Sequence, residues 1–160
     1  MKNVQILATG PELIKEGIRG IEPVIQEIIS QAQNEIHLTA YLITPQAASI
    51  LDMLEMAAGR GVKITIVINC LESQDDKIKT RLKKLNERFS HVKIINFCDS
   101  EGRQLHAKVI ICDRKKAVIG SANLSWGGMV TNYEVGVLVE GEPAWRLAQL
   151  IDFFVSLARK

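Results

Sequence analysis

The chain has 160 residues, of which 47% are apolar and 24% charged, with a formal net charge of +2. That length supports one domain with a real core. The composition is that of a soluble globular protein, and no apolar run is long enough to span a bilayer. So small a positive charge neither demands nor forbids a polyanionic partner.

Met1-Lys2-Asn3 leads into a short apolar run, residues 4–8, read as a first strand. Gly10-Pro11 interrupts it too soon for an export signal, so a cytoplasmic protein is expected. Residues 21–32 carry Ile21, Val24, Ile25, Ile28 and Ile29 at helical spacing. Residues 35–42 form a strand, and residues 46–59 a helix with Ile50, Leu51, Leu54 and Ala58 on one face. Pro45 sits at the start of that helix, where a missing N–H costs nothing, and Gly59 and Gly61 punctuate its end. The β-branched run 62–68 reads as a strand buried on both faces. Residues 75–89 form a helix with Ile78, Leu82, Leu85 and Phe89 in line, and Asp75 and Asp76 at its positive end.

Strands follow at 92–97, 105–112 and 117–120, the last two joined by Asp113-Arg114-Lys115-Lys116. A final strand covers 134–140, and a helix over 145–157 closes the chain, with Pro143 near its first turn. This order predicts an α/β fold, a mixed, mainly parallel β-sheet sandwiched by helices, in a single domain over residues 1–160. Cys70, Cys98 and Cys112 cannot all pair with one another and are read as buried free thiols in a reducing compartment. No Cys-x-x-Cys pair exists to build a structural zinc site.

The chemistry concentrates in His106-Ala107-Lys108-Val109-Ile110-Ile111-Cys112-Asp113, followed by Gly120-Ser121-Ala122-Asn123 and Asn132-Tyr133-Glu134. Residues two apart on a strand share a face, so His106 and Lys108 point the same way. A neutral imidazole can attack phosphorus while an ammonium beside it holds the anionic oxygens. Asn123 and Ser121 can donate to a phosphate oxygen without adding charge. If the last strand lies near that of His106, Glu134 can accept the second imidazole N–H and fix the tautomer. Asn132 shares the face of Glu134 and extends the network. Asp113 has the opposite parity and falls at a turn; it and Gly120 are read as structural members of the pattern, Asp113 accepting backbone N–H groups of that turn or pairing with a basic residue. The set suits phosphodiester cleavage without a metal or other cofactor, and no further His–carboxylate cluster is present to hold one.

The span from Leu105 to Val137 resembles the phospholipase D superfamily, whose members share the His-x-Lys-x4-Asp motif. The resemblance implies that His106 is a nucleophile forming a phosphohistidine, that Lys108 and Asn123 bind phosphate with Ser121 close by, and that Glu134 orients His106. The pattern is similar to small single-motif members of the bacterial endonuclease type. The run from Gly-Ser-Ala-Asn-Leu-Ser-Trp-Gly-Gly through Asn-Tyr-Glu-Val-Gly-Val-Leu-Val also resembles the phospholipase D-like component of DISARM-type phage-defence systems. That likeness implies a larger defence complex.

One copy of the motif supplies only half of the acid–base chemistry. In-line displacement puts attacker and leaving group on opposite sides of phosphorus, so a second histidine must serve as general acid. His37 and His91 lack the accompanying lysine, amide and carboxylate; His37 is read as structural and His91 as solvated. A homodimer with one composite site on its twofold axis meets the need. DNA or RNA is the expected substrate, with Arg103, just before the motif, contacting its backbone. Lys77, Lys79, Arg81, Lys83, Lys84 and Arg88 read as the solvated face of a helix, and Arg114-Lys115-Lys116 as a turn. Trp126 is expected to pack beneath its loop or in the dimer interface rather than stack on a base. Two other readings compete: a phospholipase or phosphatidyl transferase, and a nucleic-acid-binding module without turnover. No membrane-binding amphipathic helix or apolar lid is seen, so no stable membrane association is expected.

Overall fold

The β-branched runs of the chain become strands of one sheet, and the stretches with helical spacing become the layers that cover it. The computed structural model describes residues 4–159; the Met1-Lys2-Asn3 leader of the sequence reading lies outside them. Strand β1 (Val4–Thr9) is followed by a short helix α1 (Pro11–Lys15), strand β2 (Arg19–Gly20) and helix α2 (Ile21–Gln31). Then come β3 (Glu35–Ala40), α3 (Ala48–Gly59), β4 (Lys63–Asn69), α4 (Asp76–Arg88) and β5 (Val92–Phe97). The hairpin β6 (Val109–Cys112) and β7 (Lys116–Gly120), strand β8 (Glu134–Glu140) and helix α5 (Glu142–Ala158) complete the order.

All eight strands form one sheet in the order β2-β1-β8-β7-β6-β3-β4-β5. β3, β4 and β5 pair in parallel, as do β1 and β2, whereas β6 and β8 pair antiparallel with both of their neighbours. The sheet is therefore mixed, and every strand except β6 and β8 runs the same way. Alternation along each strand divides the core. Ile36, Leu38, Ile64, Ile66 and Ile68 face the layer of α2, α3 and α4, while Val67, Val109 and Ile111 face Ala144, Ala148 and Ile151 of α5. Each fully buried aliphatic side chain contributes about 1.5–3 kcal/mol. The Asp75 side chain caps α4 by accepting from Lys77 N at 2.8 Å, which satisfies an otherwise orphaned helix-end donor.

Four local differences from the sequence reading have physical causes. α1 and β2 are too short to show a period, and both escaped it. β6 begins at Val109 rather than at Leu105. There the Thr39 hydroxyl donates to Ala107 O at 3.0 Å and accepts from Val109 N at 3.1 Å, so a side chain replaces the ladder to β3 and the strand does not continue back over residues 105–108, although Lys108 O still accepts from Gly120 N of β7 at 3.3 Å. α5 begins at Glu142, one turn early, with Pro143 inside its first turn. The thiols differ too: only Cys112 is buried, Cys70 is half-buried and Cys98 is exposed.

Candidate active site

Strand direction gathers the site. β3 and β7 end, and β6 and β8 begin, at the same edge of the sheet, so Tyr41, Lys108, Gly120 and Asn123 line one recess there. Glycine at 120 is required by the approach of β8: an added Cβ would lie 2.6 Å from Val135 O. Glycine at 128 is required by the loop that carries Asn123, because a Cβ there would meet Asn123 O at 2.1 Å.

His106 is exposed, and its ring stacks on Tyr41 with centroids 4.4 Å apart at 49°. Lys108 Nζ lies 2.9 Å from His106 Nδ1, 2.8 Å from the His106 carbonyl oxygen and 5.5 Å from the Tyr41 centroid. The two motif side chains do meet, although the strand from which a shared face was expected does not extend over residues 105–108. Burial lowers Lys108 below the ordinary lysine value, and the charge of Glu134 only partly offsets this. With the ammonium donating to Nδ1, the proton of a neutral ring sits on Nε2. Attack through Nε2 needs the other tautomer, so Lys108 must leave Nδ1, and a phosphate oxygen is the acceptor that would draw it away.

Glu134 accepts from the Ser121 hydroxyl and from Asn132 Nδ2 at 3.2 Å. Ser121 is further tied to β8 through Val135, whose N–H donates to Ser121 Oγ at 3.2 Å. The expected Glu134–imidazole bond is not formed in this state; the carboxylate, Ser121 and Asn132 make one network, and His106 and Lys108 another. Asn123 Oδ1 is buried without a hydrogen-bond partner, an uncommon and costly state for an amide oxygen. A half-turn of its χ2 exchanges this oxygen for the donating NH₂.

The remaining predicted residues lie away from this recess or are already paired. Arg103 is exposed and borders an open groove of about 890 Å³ with His106, but its guanidinium folds onto Asp99 through bonds of 3.1 and 3.0 Å. That pairing, with the Arg103 and Glu101 backbone N–H groups, holds the Asp99 carboxyl below its usual range. Asp113 sits at the opposite edge of the sheet, at φ 55°, and accepts from the backbone N–H groups of Gln33, Asn34 and Glu35 at 2.7–3.0 Å. Burial pushes its carboxyl up, but the three donors prevail and hold it low. His37 is buried with its Nε2 3.3 Å from Asp152, and His91 Nε2 lies 2.8 Å from Ala58 O; neither faces His106. His91 is therefore half-buried and bonded, not simply solvated. Arg114 pairs with Glu35 and Asp152, and Arg81 and Arg88 pair with acids of α3. Trp126 is exposed rather than packed under its loop.

Two contributors were invisible in the motif. Tyr41 packs on both His106 and Lys108 but stands far upstream in the chain. Asn69, buried at the end of β4, accepts from Leu105 N at 2.9 Å and donates to Gln104 at 2.8 Å. It thereby pins the backbone immediately before His106. Among the described residues, no group of three or more His, Cys, Asp or Glu side chains converges to hold a metal ion.

A family model described as "Cardiolipin synthase, PLD-like domain" matches residues 25–154. The chain belongs to this phospholipase D-like family. It is 34% identical over 142 residues to DISARM protein DrmC of Bacillus paralicheniformis, covering 88% of this chain and 58% of that protein. It is 28% identical over 144 residues to cardiolipin synthase C of Escherichia coli, covering 79% of this chain and 30% of that one. The chain thus spans little more than half, or less, of these relatives. Among solved structures, Nuc from Salmonella typhimurium superposes with a TM-score of 0.72 at 23% identity, covering 98% of this chain and 91% of its own. NucT from Helicobacter pylori gives 0.74 at 18% identity, covering 96% of each chain. These two show the fold: a single mixed sheet flanked by helices. The family is one of phosphodiesterases. No helix among the described residues is long and apolar enough to cross a membrane.

Proposed function

We propose that this chain is a metal-independent phosphodiesterase that cleaves DNA or RNA through a phosphohistidine at His106, in a site completed by a second copy of itself. The observation that carries this reading is the exposed His106–Lys108 pair, beside Asn123 and Glu134, with no other imidazole at that edge of the sheet. His106 attacks phosphorus. Lys108, drawn off Nδ1 by the substrate, neutralises a non-bridging oxygen, and the Asn123 amide donates to another. Once Lys108 has left, the ring passes its Nε2 proton to water and takes one up at Nδ1, which frees Nε2 for the attack, and Glu134 accepts the resulting Nδ1–H. The His106 of a second copy, protonated, delivers its proton to the leaving oxygen; the two rings thus hold different protonation states around one phosphate. Water later releases the phosphoryl group by the same steps in reverse.

The likeness to DISARM protein DrmC supports placing this activity within a defence assembly. A second reading, phosphatidyl transfer, is favoured by the family description and by the likeness to cardiolipin synthase C; the same residues would serve it. The test is cleavage of an end-labelled oligonucleotide in EDTA, with His106→Ala alongside and wild-type mixed with excess His106→Ala. Cleavage that survives EDTA, disappears in the variant and falls on mixing supports the shared site. Dependence on added magnesium, or full activity of mixed dimers, overturns it. Headgroup release from phospholipid vesicles with no oligonucleotide cleavage establishes the second reading instead.

A further inference from the structure

The C-terminal ends of β4 and β5 bring two cysteines together outside the site described above. Asn69 pairs with Phe97 in the parallel register, so Cys70 and Cys98 occupy the next step on adjacent strands. Neighbouring strands run about 4.8 Å apart, within the Cα spacing that a disulfide spans. The side chains follow the backbone: Cys70 Sγ and Cys98 Sγ lie 2.8 Å from each other. Cys70 is firmly held. Its N–H donates to Phe97 O at 2.9 Å, its carbonyl accepts from Ser73 N at 2.8 Å, and its φ is 37°. Cys98 is exposed and opens the loop that runs through Arg103 to His106.

We propose that Cys70 and Cys98 form an oxidisable dithiol, closed to an intramolecular disulfide by a small-molecule disulfide such as oxidised glutathione. The Cys98 thiolate attacks one sulfur of the small molecule, forming a mixed disulfide and expelling one thiolate. The Cys70 thiol loses its proton to water and attacks Cys98 Sγ, expelling the second. Two protein thiols lose two electrons and two protons, and one small disulfide becomes two thiols. Cys98 is the entry point because it is exposed, whereas the hydrogen bond shared with Cys98 raises the Cys70 thiol above its usual range. Cys112 serves as an internal control: it is buried, and burial pushes its thiol up to about 12. The bond joins the strand end that carries Asn69 to the loop whose far end Asn69 grips at Leu105. This pairing does not depend on the phosphodiesterase reading.

Trypsin releases the three cysteines on separate peptides, 64–77, 94–103 and 109–114, so one digest reads every pairing. The folded chain is oxidised with glutathione disulfide, remaining thiols are alkylated, and peptides are identified by mass. The expected product is peptide 64–77 joined to 94–103, with loss of two hydrogen masses and Cys112 alkylated only after unfolding. The same treatment in denaturant should shift pairing toward the shorter Cys98–Cys112 loop, which closes more readily in an unstructured chain. Cys70→Ser should leave Cys98 as a glutathione adduct, and Cys98→Ser should leave no linked pair. Folded protein that yields three free thiols, only a mixed adduct at Cys98, or links between chains overturns the proposal.

Discussion

The two ends of the sheet hold the same kinds of side chain and use them in opposite ways. At one end stand His37, Arg114, Glu35, Asp152 and Asp113; at the other, His106, Lys108, Glu134, Ser121 and Asn123. At the first end the charges are matched. Arg114 is shared by Glu35 and Asp152, His37 is 4% exposed against Asp152, and Asp113 takes three backbone donors. At the second end His106 is exposed, Lys108 is depressed by burial, and Asn123 Oδ1 has no partner. Each end leaves one buried polar atom without a partner, His37 Nδ1 at the first and Asn123 Oδ1 at the second, so what separates them is charge: matched by fixed partners at the first end, and left beside an exposed imidazole, within reach of a ligand, at the second. Histidine alone therefore says little, and what surrounds it decides.

The sharpest way to break this comparison is to remove each histidine in turn. His106→Ala should lower phosphodiester cleavage by roughly 10⁴-fold or more, because it deletes nucleophile and acid together. Its thermal midpoint should stay close to wild type, since an exposed ring is lost. His37→Ala should leave the rate per folded molecule unchanged while lowering the midpoint. Turnover with denaturation curves for both variants checks this; an active His106→Ala protein or an inactive but stable His37→Ala protein would reverse the assignment of the two ends. Lys108→Met comes next, at roughly 10²–10³-fold in rate, the usual effect of losing one preorganised stabiliser of developing charge. If Lys108 only propped up His106 sterically, methionine would retain most of the activity.

Much of this division could be read along the chain. The β-branched run of β4 and the period of α2 and α4 announced themselves because burial selects apolar residues at the spacing of each element. The His106–Lys108 pairing was legible for the same reason, being local. Asp113 was set apart by parity along a strand, but its distance from His106 comes from lying past the far end of β6, and its donors are not those of its own turn but Gln33, Asn34 and Glu35, nearly eighty residues away and without local signal. Tyr41 was hidden for that reason: nothing in the residues around it marks the end of β3 as neighbour to a loop beyond β5. The order of strands was equally silent, since apolar alternation specifies a face and not a neighbour. The strand predicted over 105–108 failed because Thr39, one hydroxyl on a distant strand, ends the ladder there.

The matched end yields two stability predictions of intermediate size. Asp113→Ala strips three backbone N–H groups of their acceptor and should cost on the order of 1–3 kcal/mol, read as a lower urea midpoint with an unchanged slope. The wild-type contribution depends on pH with a definite sign. The folded Asp113 carboxyl is held below its unfolded value of about 3.9, so its stabilisation is complete above that pH and is lost as pH falls through the lower folded value. His37 acts earlier. Burial lowers it more than Glu35 and Asp152 raise it, so the unfolded chain takes up the proton first, and stability declines as pH falls from about 6.5 toward the folded value. His37→Gln should remove that first decline and keep the acidic one, and urea midpoints measured from pH 8 to pH 3 separate the two. A single decline below pH 4 in wild type would mean that His37 keeps an ordinary affinity for protons.

The smallest predicted effect sharpens the open end. Tyr41 presents its ring to both the Lys108 ammonium and the His106 imidazole. A cation over an aromatic face between two half-buried side chains is worth about 0.5–1 kcal/mol, which is roughly a two- to fivefold change in an equilibrium or rate. Tyr41→Leu keeps apolar bulk beside the ring and discards that attraction. If Tyr41 positions the pair, Tyr41→Phe should restore the rate, because the face and not the hydroxyl is needed, and the loss in Tyr41→Leu should fall on kcat rather than KM. Equal losses in both variants would point instead to the phenol hydroxyl acting on substrate. A loss in KM alone would place Tyr41 in the binding surface, leaving Lys108 to hold His106 unaided.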